Sequence, residues 1–456
     1  MIAREIRATV SLAAPVVATQ LAQISMGFVD TIMVGHLSSD ALAGIALGNS
    51  IFFTTVVIAM GVVMAVGPMV SQAFGAGDAT GLARSVRQGL WLAAALTVPC
   101  MLVVRHAEIL LSWMGQDPGT VELSQSYLRA ISWGVFPFLG FVALRSFIEG
   151  VSRPRPATVI SFLAVGLNVG ANYVLMYGKL GLPALGLVGT GWASTVVFWF
   201  MMVALVLVTQ ASDTFVAYGV LSHIRRPDPF YFREIFRIGW PIGVSYGIES
   251  GLFMVTALFM GLLGTVALAA HQVAIQCAAF TFMVPLGIGI ASSVRVGQAA
   301  GRRDSGAART AGFVGISLAA AFMFFAAVVF WTLPRQVVGL YLDLSDPANA
   351  DVIALATSLL AVAAVFQIFD GVQVSAAGAL RGLKDTRRPM IIGFVSYWLV
   401  GLSTGYLLGF PLGGGPVGLW WGLVVGLVAA AVLLSVRFRM RSGLTYDAPE
   451  AGAADD

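Results

Sequence analysis

Gly35-His36-Leu37-Ser38-Ser39-Asp40-Ala41-Leu42-Ala43 is answered 226 residues later by Gly261-Leu262-Leu263-Gly264-Thr265-Val266-Ala267-Leu268-Ala269. The glycine and the Ala-Leu-Ala triplet keep their spacing, and other positions share the offset: Pro15 with Pro241, Gln72 with Gln298, Gly75 with Gly301 and Asp78 with Asp304. Farther on the register drifts slightly, with Gly150 against Gly382, Pro156 against Pro389, and Val188-Gly189 against Val417-Gly418. The chain is built from two copies of one unit.

Each copy is made for hydrocarbon. Of 456 residues, 58% are hydrophobic and 11% charged, with a mean hydropathy of +0.88, whereas soluble chains carry about 25% charged residues. This excludes a soluble enzyme, a secreted disulfide scaffold and a disordered regulator. Crossing a hydrocarbon core takes about 20 apolar residues in a helix. That length fits Val10–Val34, Leu47–Val70, Leu90–Val104, Ile131–Ile148, Thr158–Tyr177 and Leu187–Val208 in the first copy. In the second it fits Gly239–Leu263, Ala267–Ile290, Ala311–Leu333, Ile353–Ala377, Met390–Leu408 and Val417–Val436. Lipid offers no partner to an open strand edge, so the expected fold is an all-α polytopic membrane protein of twelve helices in two six-helix lobes. The first run is longer than the roughly 7 to 15 residues of a signal-peptide core and reads as a retained span.

Basic residues set the orientation. Of 26 Lys and Arg, all but Arg105, Arg129, Lys179 and Arg335 fall in alternate connections, the pattern of a cytoplasmic face. Both termini are therefore expected in the cytoplasm of a bacterial inner membrane. The same scatter of short clusters argues against nucleic acid as a partner despite a pI near 9.2. The expected organisation is a lobe at 1–211, a polar linker at 212–236, a second lobe at 237–441 and a short acidic tail at 442–456. Six spans per copy make the repeats parallel, about an axis along the membrane normal, a transporter-like plan with a central site between two halves. Nothing suggests more than a monomer.

Only three of the 22 acidic residues lie well inside apolar runs: Asp30, Glu249 and Asp370. An ionisable group at depth costs roughly 2.5 to 3.5 kcal/mol and is a functional candidate. The sequence shows no Lys or Arg inside the spans to pair with them. Glu149, one turn after Arg145 at the cytoplasmic edge, reads as a structural pair. Asn168 and Asn172 share a helix face and Thr190 opens the next span; with Asp30 they would form an all-oxygen cage for a hard monovalent cation. Amides and hydroxyls also serve as interhelical glue, worth about 0.6 kcal/mol each, and spacing alone leaves both readings open. In the second copy these positions become Gly401, Gly405 and Leu419, Asp30 becomes Thr256, and Glu249 stands where the first copy has Gln23.

Phe28, Gln23, Phe253, Met254, Gln272, Phe280, Phe282, Met283, Phe366 and Phe369 are candidates to line a cavity for flat lipophilic cations, although packing and lipid contact are the commoner uses of such side chains. The remaining motifs carry no chemistry. Gly75-Ala76-Gly77-Asp78 imitates an intramembrane protease motif but sits between spans as a helix-ending turn. No phosphate-binding GxxxxGK sequence occurs, so ATP is not an expected partner. His36, His106, His223 and His271 lack ligand spacing, and Cys100 and Cys277 suggest neither disulfide nor metal. The protein is not expected to be an enzyme or to hold a cofactor.

Asp30-Thr31-Ile32-Met33-Val34-Gly35-His36-Leu37 followed by Ala41-Leu42-Ala43-Gly44, then Gly247-Ile248-Glu249, and Asp370-Gly371 ahead of Ala379-Leu380-Arg381-Gly382, resemble the multidrug and toxic compound extrusion (MATE) family in its bacterial NorM-like branch. The resemblance runs to about Arg441. It implies export of cationic, amphipathic drugs and dyes in exchange for Na+ or H+. It also implies a cation site at Glu249, Asp370 and Phe366 in the second lobe, or at Asp30, Asn168, Asn172 and Thr190 in the first. Asn172 stands where some relatives have Asp, which favours sodium over protons. A lipid-linked oligosaccharide flippase of related fold is the alternative, for which the spans lack a basic cluster.

Overall fold

The computed structural model describes residues 2–444, and the part of the expected acidic tail from residue 445 onward lies outside them. Twelve helices are long and apolar enough to cross a membrane. Spans 1 to 6 are Ile2–Gly35, Ser39–Ala76, Ala79–Arg105, Pro118–Gly150, Arg155–Tyr177 and Leu187–Ala211. Spans 7 to 12 are Pro229–Leu262, Thr265–Gly301, Ser305–Thr332, Pro347–Gly382, Arg387–Gly409 and Gly415–Gly443. No strand occurs among the described residues. Every apolar run expected from the sequence lies in one of these helices to within one residue, and most helices run beyond it into polar flanks.

Two spans are interrupted just ahead of a proline, whereas Pro15, Pro99, Pro241 and Pro285 lie inside continuous helices. Proline lacks an N–H and its ring clashes with the carbonyl four residues earlier. Span 2 breaks at Met64 and Ala65, four and three residues before Pro68. Span 4 tightens into a 3-10 turn at Ser132–Gly134, just ahead of Pro137. Span 11 departs from regularity differently, with a π-helical stretch over Val395–Leu402.

The chain divides into two compact units. The N-terminal unit is Ala18–Gly243; the C-terminal unit gathers the described residues of Met1–Val17 and Val244–Asp456. The unit boundaries fall inside spans 1 and 7, whereas the linker reading put the lobe boundary in the 212–236 connection. The start of span 7 belongs with the first unit for a packing reason: a Cβ on Gly239 would collide with the Val62 carbonyl, and one on Gly243 with that of Ile58. Within the C-terminal unit, spans 8 and 10 approach in the same way. A Cβ on Gly378 would strike the Gly289 carbonyl, and one on Gly382 the Ser293 carbonyl. Backbone-to-backbone approach through small residues is how helices associate where no hydrophobic effect separates protein from solvent.

The repeat survives in backbone detail. Span 2 ends on Gly77 at φ +73°, and its counterpart Arg303 at the end of span 8 takes φ +59°. The next residue caps the following helix in both copies: Asp78 Oδ1 accepts from the Gly81 N–H at 2.8 Å, and Asp304 Oδ1 from the Ala307 N–H at 2.8 Å. The protease-like Gly-Ala-Gly-Asp stretch is thus a C-cap followed by an N-cap. Replacing Asp78 or Asp304 by Ala should each cost about 1 kcal/mol, read as a lowered Tm in detergent with unchanged helical content. Gly378→Leu, which cannot be accommodated against backbone, should abolish the folded fraction in size-exclusion chromatography.

Candidate functional site

The N-terminal unit builds its polar centre around Asp30. Span 1 delivers the carboxylate, span 5 supplies Asn168 and Asn172 from one face, and span 6 supplies Ser194. Asn168 Nδ2 donates to Asp30 Oδ1 at 3.0 Å and Asn172 Nδ2 to the same oxygen at 2.6 Å; Ser194 Oγ donates to Oδ2 at 3.2 Å. The donors are neutral, so the carboxylate is held without being neutralised. Orienting both amides this way leaves Asn168 Oδ1 and Asn172 Oδ1 buried with no hydrogen-bond donor. A buried acceptor without a partner costs roughly 1 to 3 kcal/mol. One carboxylate and two unfilled amide oxygens suit a hard cation, which prefers oxygen ligands.

Thr190 is not in this constellation. It is buried one turn before Ser194, and its hydroxyl donates to Met176 Sδ at 3.2 Å. Ser194 takes the place expected of it, and the signal was present in the sequence as a second hydroxyl on the same helix face. Tyr127, fully buried, is near enough to feel the Asp30 charge. Tyr177 Oη donates to the Met33 carbonyl at 2.9 Å, tying the end of span 5 to span 1 beside the site.

In the C-terminal unit, Asp370 of span 10 is buried and Glu249 of span 7 is half-buried. Gln373 Nε2 donates to Asp370 Oδ1 at 3.1 Å. Arg381 Nη1 donates to Tyr246 Oη at 3.3 Å, and its guanidinium lies 5.3 Å from that ring's centre. Arg381 of span 10 thus reaches Tyr246 of span 7, three residues before Glu249. Arg381 counts in sequence as part of the basic face at the end of span 10, but its long side chain carries the charge away from its backbone position. Tyr397 is buried on the π-helical stretch of span 11, and its neighbour Trp398 donates Nε1–H to the Ile248 carbonyl at 3.1 Å.

Phe366 is almost fully buried in an aromatic chain. Its ring meets Phe253 edge-on at 6.3 Å and Trp420 at 5.5 Å, and Trp420 meets His271 at 5.8 Å. Of the cavity candidates, Phe28, Met254 and Phe280 are 50%, 57% and 58% exposed, and Gln272 is exposed as well. Phe253, Phe282, Met283 and Phe369 are half-buried. Gln23 is engaged elsewhere: Arg145 Nη1 donates to Gln20 Oε1 at 2.9 Å and to Gln23 Oε1 at 3.1 Å. Arg145 also faces Glu149 at 3.6 Å, and both side chains are buried rather than lying at an edge. No group of three or more His, Cys, Asp or Glu suited to a metal ion exists among the described residues.

Twelve apolar helices in a two-fold repeat, with acids held inside them, have the plan of a multi-pass membrane transporter. The MatE family profile matches residues 15–174 and 241–407, once in each repeat. The chain is 41% identical over 451 residues to a probable multidrug resistance protein NorM of Pseudomonas aeruginosa, covering 99% of this chain and 92% of that one. It is 42% identical to the protein of the same name from Pseudomonas putida, covering 96% and 95%. The fold matches the eukaryotic MATE transporter AtDTX14 with a TM-score of 0.87 at 21% identity, over 98% and 99% of the two chains. It matches a MATE solved in complex with MaL6 with the same score and identity, over 97% of each. The chain belongs to the MatE family of transporters.

The different placement of the two span 6 hydroxyls is testable. Ser194→Ala removes a donor to a carboxylate, worth roughly 1.5 to 3 kcal/mol, and should raise the half-saturating concentration of the bound cation about tenfold or more. Thr190→Ala, which removes a contact to sulfur, should leave that concentration within about twofold.

Proposed function

We propose that the protein is a secondary multidrug efflux transporter that exports cationic, amphipathic compounds in exchange for a monovalent cation, by alternating between inward-open and outward-open states. The relatives named for multidrug resistance support the substrate class, and the carboxylates inside the spans support ion coupling. The observation that carries the reading is the Asp30 centre: a charge held by neutral donors, next to two buried amide oxygens without a donor. A proton on Asp30 could satisfy one of those oxygens. A sodium ion could satisfy both while neutralising the carboxylate, and this favours Na+ as the ion taken there. The Glu249 and Asp370 pair is the second place where an incoming cation would relieve repulsion.

Coupling follows from differential affinity. A cation that binds one state better shifts the equilibrium toward it, and a drug that binds the other state better is carried the opposite way. The excess of Arg on alternate connections supports both termini lying in the cytoplasm of a bacterial inner membrane. In proteoliposomes, efflux of a fluorescent cation should follow an imposed inward Na+ gradient and stop when that gradient is removed. Efflux that responds only to a pH gradient would replace sodium by protons, and efflux indifferent to both would overturn the antiporter reading.

A further inference from the structure

Besides its polar centre, the N-terminal unit buries a second set of charged groups. Arg145 and Glu149 are 3% and 4% exposed, and both lie on span 4, whose apolar window is 83% buried. The Nε of Arg145 is 3.6 Å from Glu149 Oε1 and makes no hydrogen bond. The bonds that Arg145 does make go to span 1: Nη1 bridges Gln20 Oε1 and Gln23 Oε1 at 2.9 and 3.1 Å. A buried ion pair is a poor device for stability alone, since an apolar pair of similar volume often serves as well or better. What this pair supplies that an apolar one would not is a directed donor to two residues of span 1.

Those two residues stand in a fixed relation to Asp30. Gln23 precedes it by seven residues, which is two turns and about 10 Å along the helix, and a heptad returns to the same face within about 20°. The hydrogen bonds from Arg145 therefore set both the rotation and the register of the helix face that presents Asp30. They act immediately after Val17, where span 1 enters this unit. In the second copy an arginine of the fourth span also reaches the first span of its copy: Tyr246, 226 residues beyond Gln20, accepts from Arg381, which in the Gly150–Gly382 register stands at the position of Glu149. In the first copy the arginine takes its counter-charge from its own helix, so that only neutral amides on span 1 are engaged and Asp30 is left as the unneutralised charge of the centre.

We propose that Arg145, counter-charged by Glu149, is a positioning residue for the cation site, fixing span 1 through Gln20 and Gln23 so that Asp30 meets Asn168, Asn172 and Ser194. The proposal rests on the reading that Asp30 binds the coupling cation.

Its test is Na+ binding to the purified, detergent-solubilised protein without drug, followed by calorimetry, with Tm measured in parallel. The double replacement Arg145→Met with Glu149→Met removes the charge pair as a whole and should keep the protein folded, while the half-saturating Na+ concentration rises about tenfold or more, the loss of one or two charge-assisted hydrogen bonds. Arg145→Lys keeps a charged donor over the two glutamines and should stay within about threefold of the unmodified protein. If the double variant is not folded, Gln20→Leu provides the test with the ion pair intact and should weaken Na+ binding. Sodium binding unchanged in the folded double variant, or equally lost in Arg145→Lys, overturns the positioning role. Asp30→Asn separates the two readings: if it binds Na+ normally, it is the Asp30 assignment that fails.

Discussion

A carboxylate inside a hydrocarbon-spanning unit has to be satisfied by the protein, and the manner of that satisfaction decides what the unit can do. Asp30 is met by three neutral donors from spans 5 and 6. They make the charge tolerable without cancelling it. Had span 5 supplied an arginine, the result would have been a closed ion pair with nothing left for a mobile ion.

The two copies share a framework and differ in chemistry. Gly77 and Arg303 adopt the same left-handed conformation, as do Ser152 and Lys384, and Asp78 and Asp304 cap the same helices. Yet the first copy places one acid among amides, while the second places two acids near each other with Arg381 alongside. The fold is conserved between copies by turn and cap positions that never touch the site, which frees the centres to diverge. Under the proposed cation exchange, the two centres would differ in the charge they offer an incoming cation.

Much of this was legible in the sequence because the rules involved are local. Span count follows from apolar length, and the Asn168 and Asn172 face from a helical turn. The failures share a physical origin in side-chain reach and direction. Arg381 and Arg145 sit near span ends, where a sequence counts them as surface charge, but long side chains place their charges elsewhere in the unit. Thr190 starts the right helix yet points its hydroxyl at Met176, and only a neighbouring helix decides that Ser194, one turn on, faces Asp30 instead. The departure of span 11 into a π-helix has no proline to announce it.

The central claim is that the carboxylate of Asp30, with its amide neighbours, takes up a sodium ion. The most direct measurement is equilibrium binding of radioactive sodium to the purified Asp30→Asn variant, compared with the unmodified protein and with a Glu249→Gln, Asp370→Asn double variant. Asp30→Asn should lose a saturable Na+ site that the double variant retains. An unaltered Na+ isotherm in Asp30→Asn would contradict it.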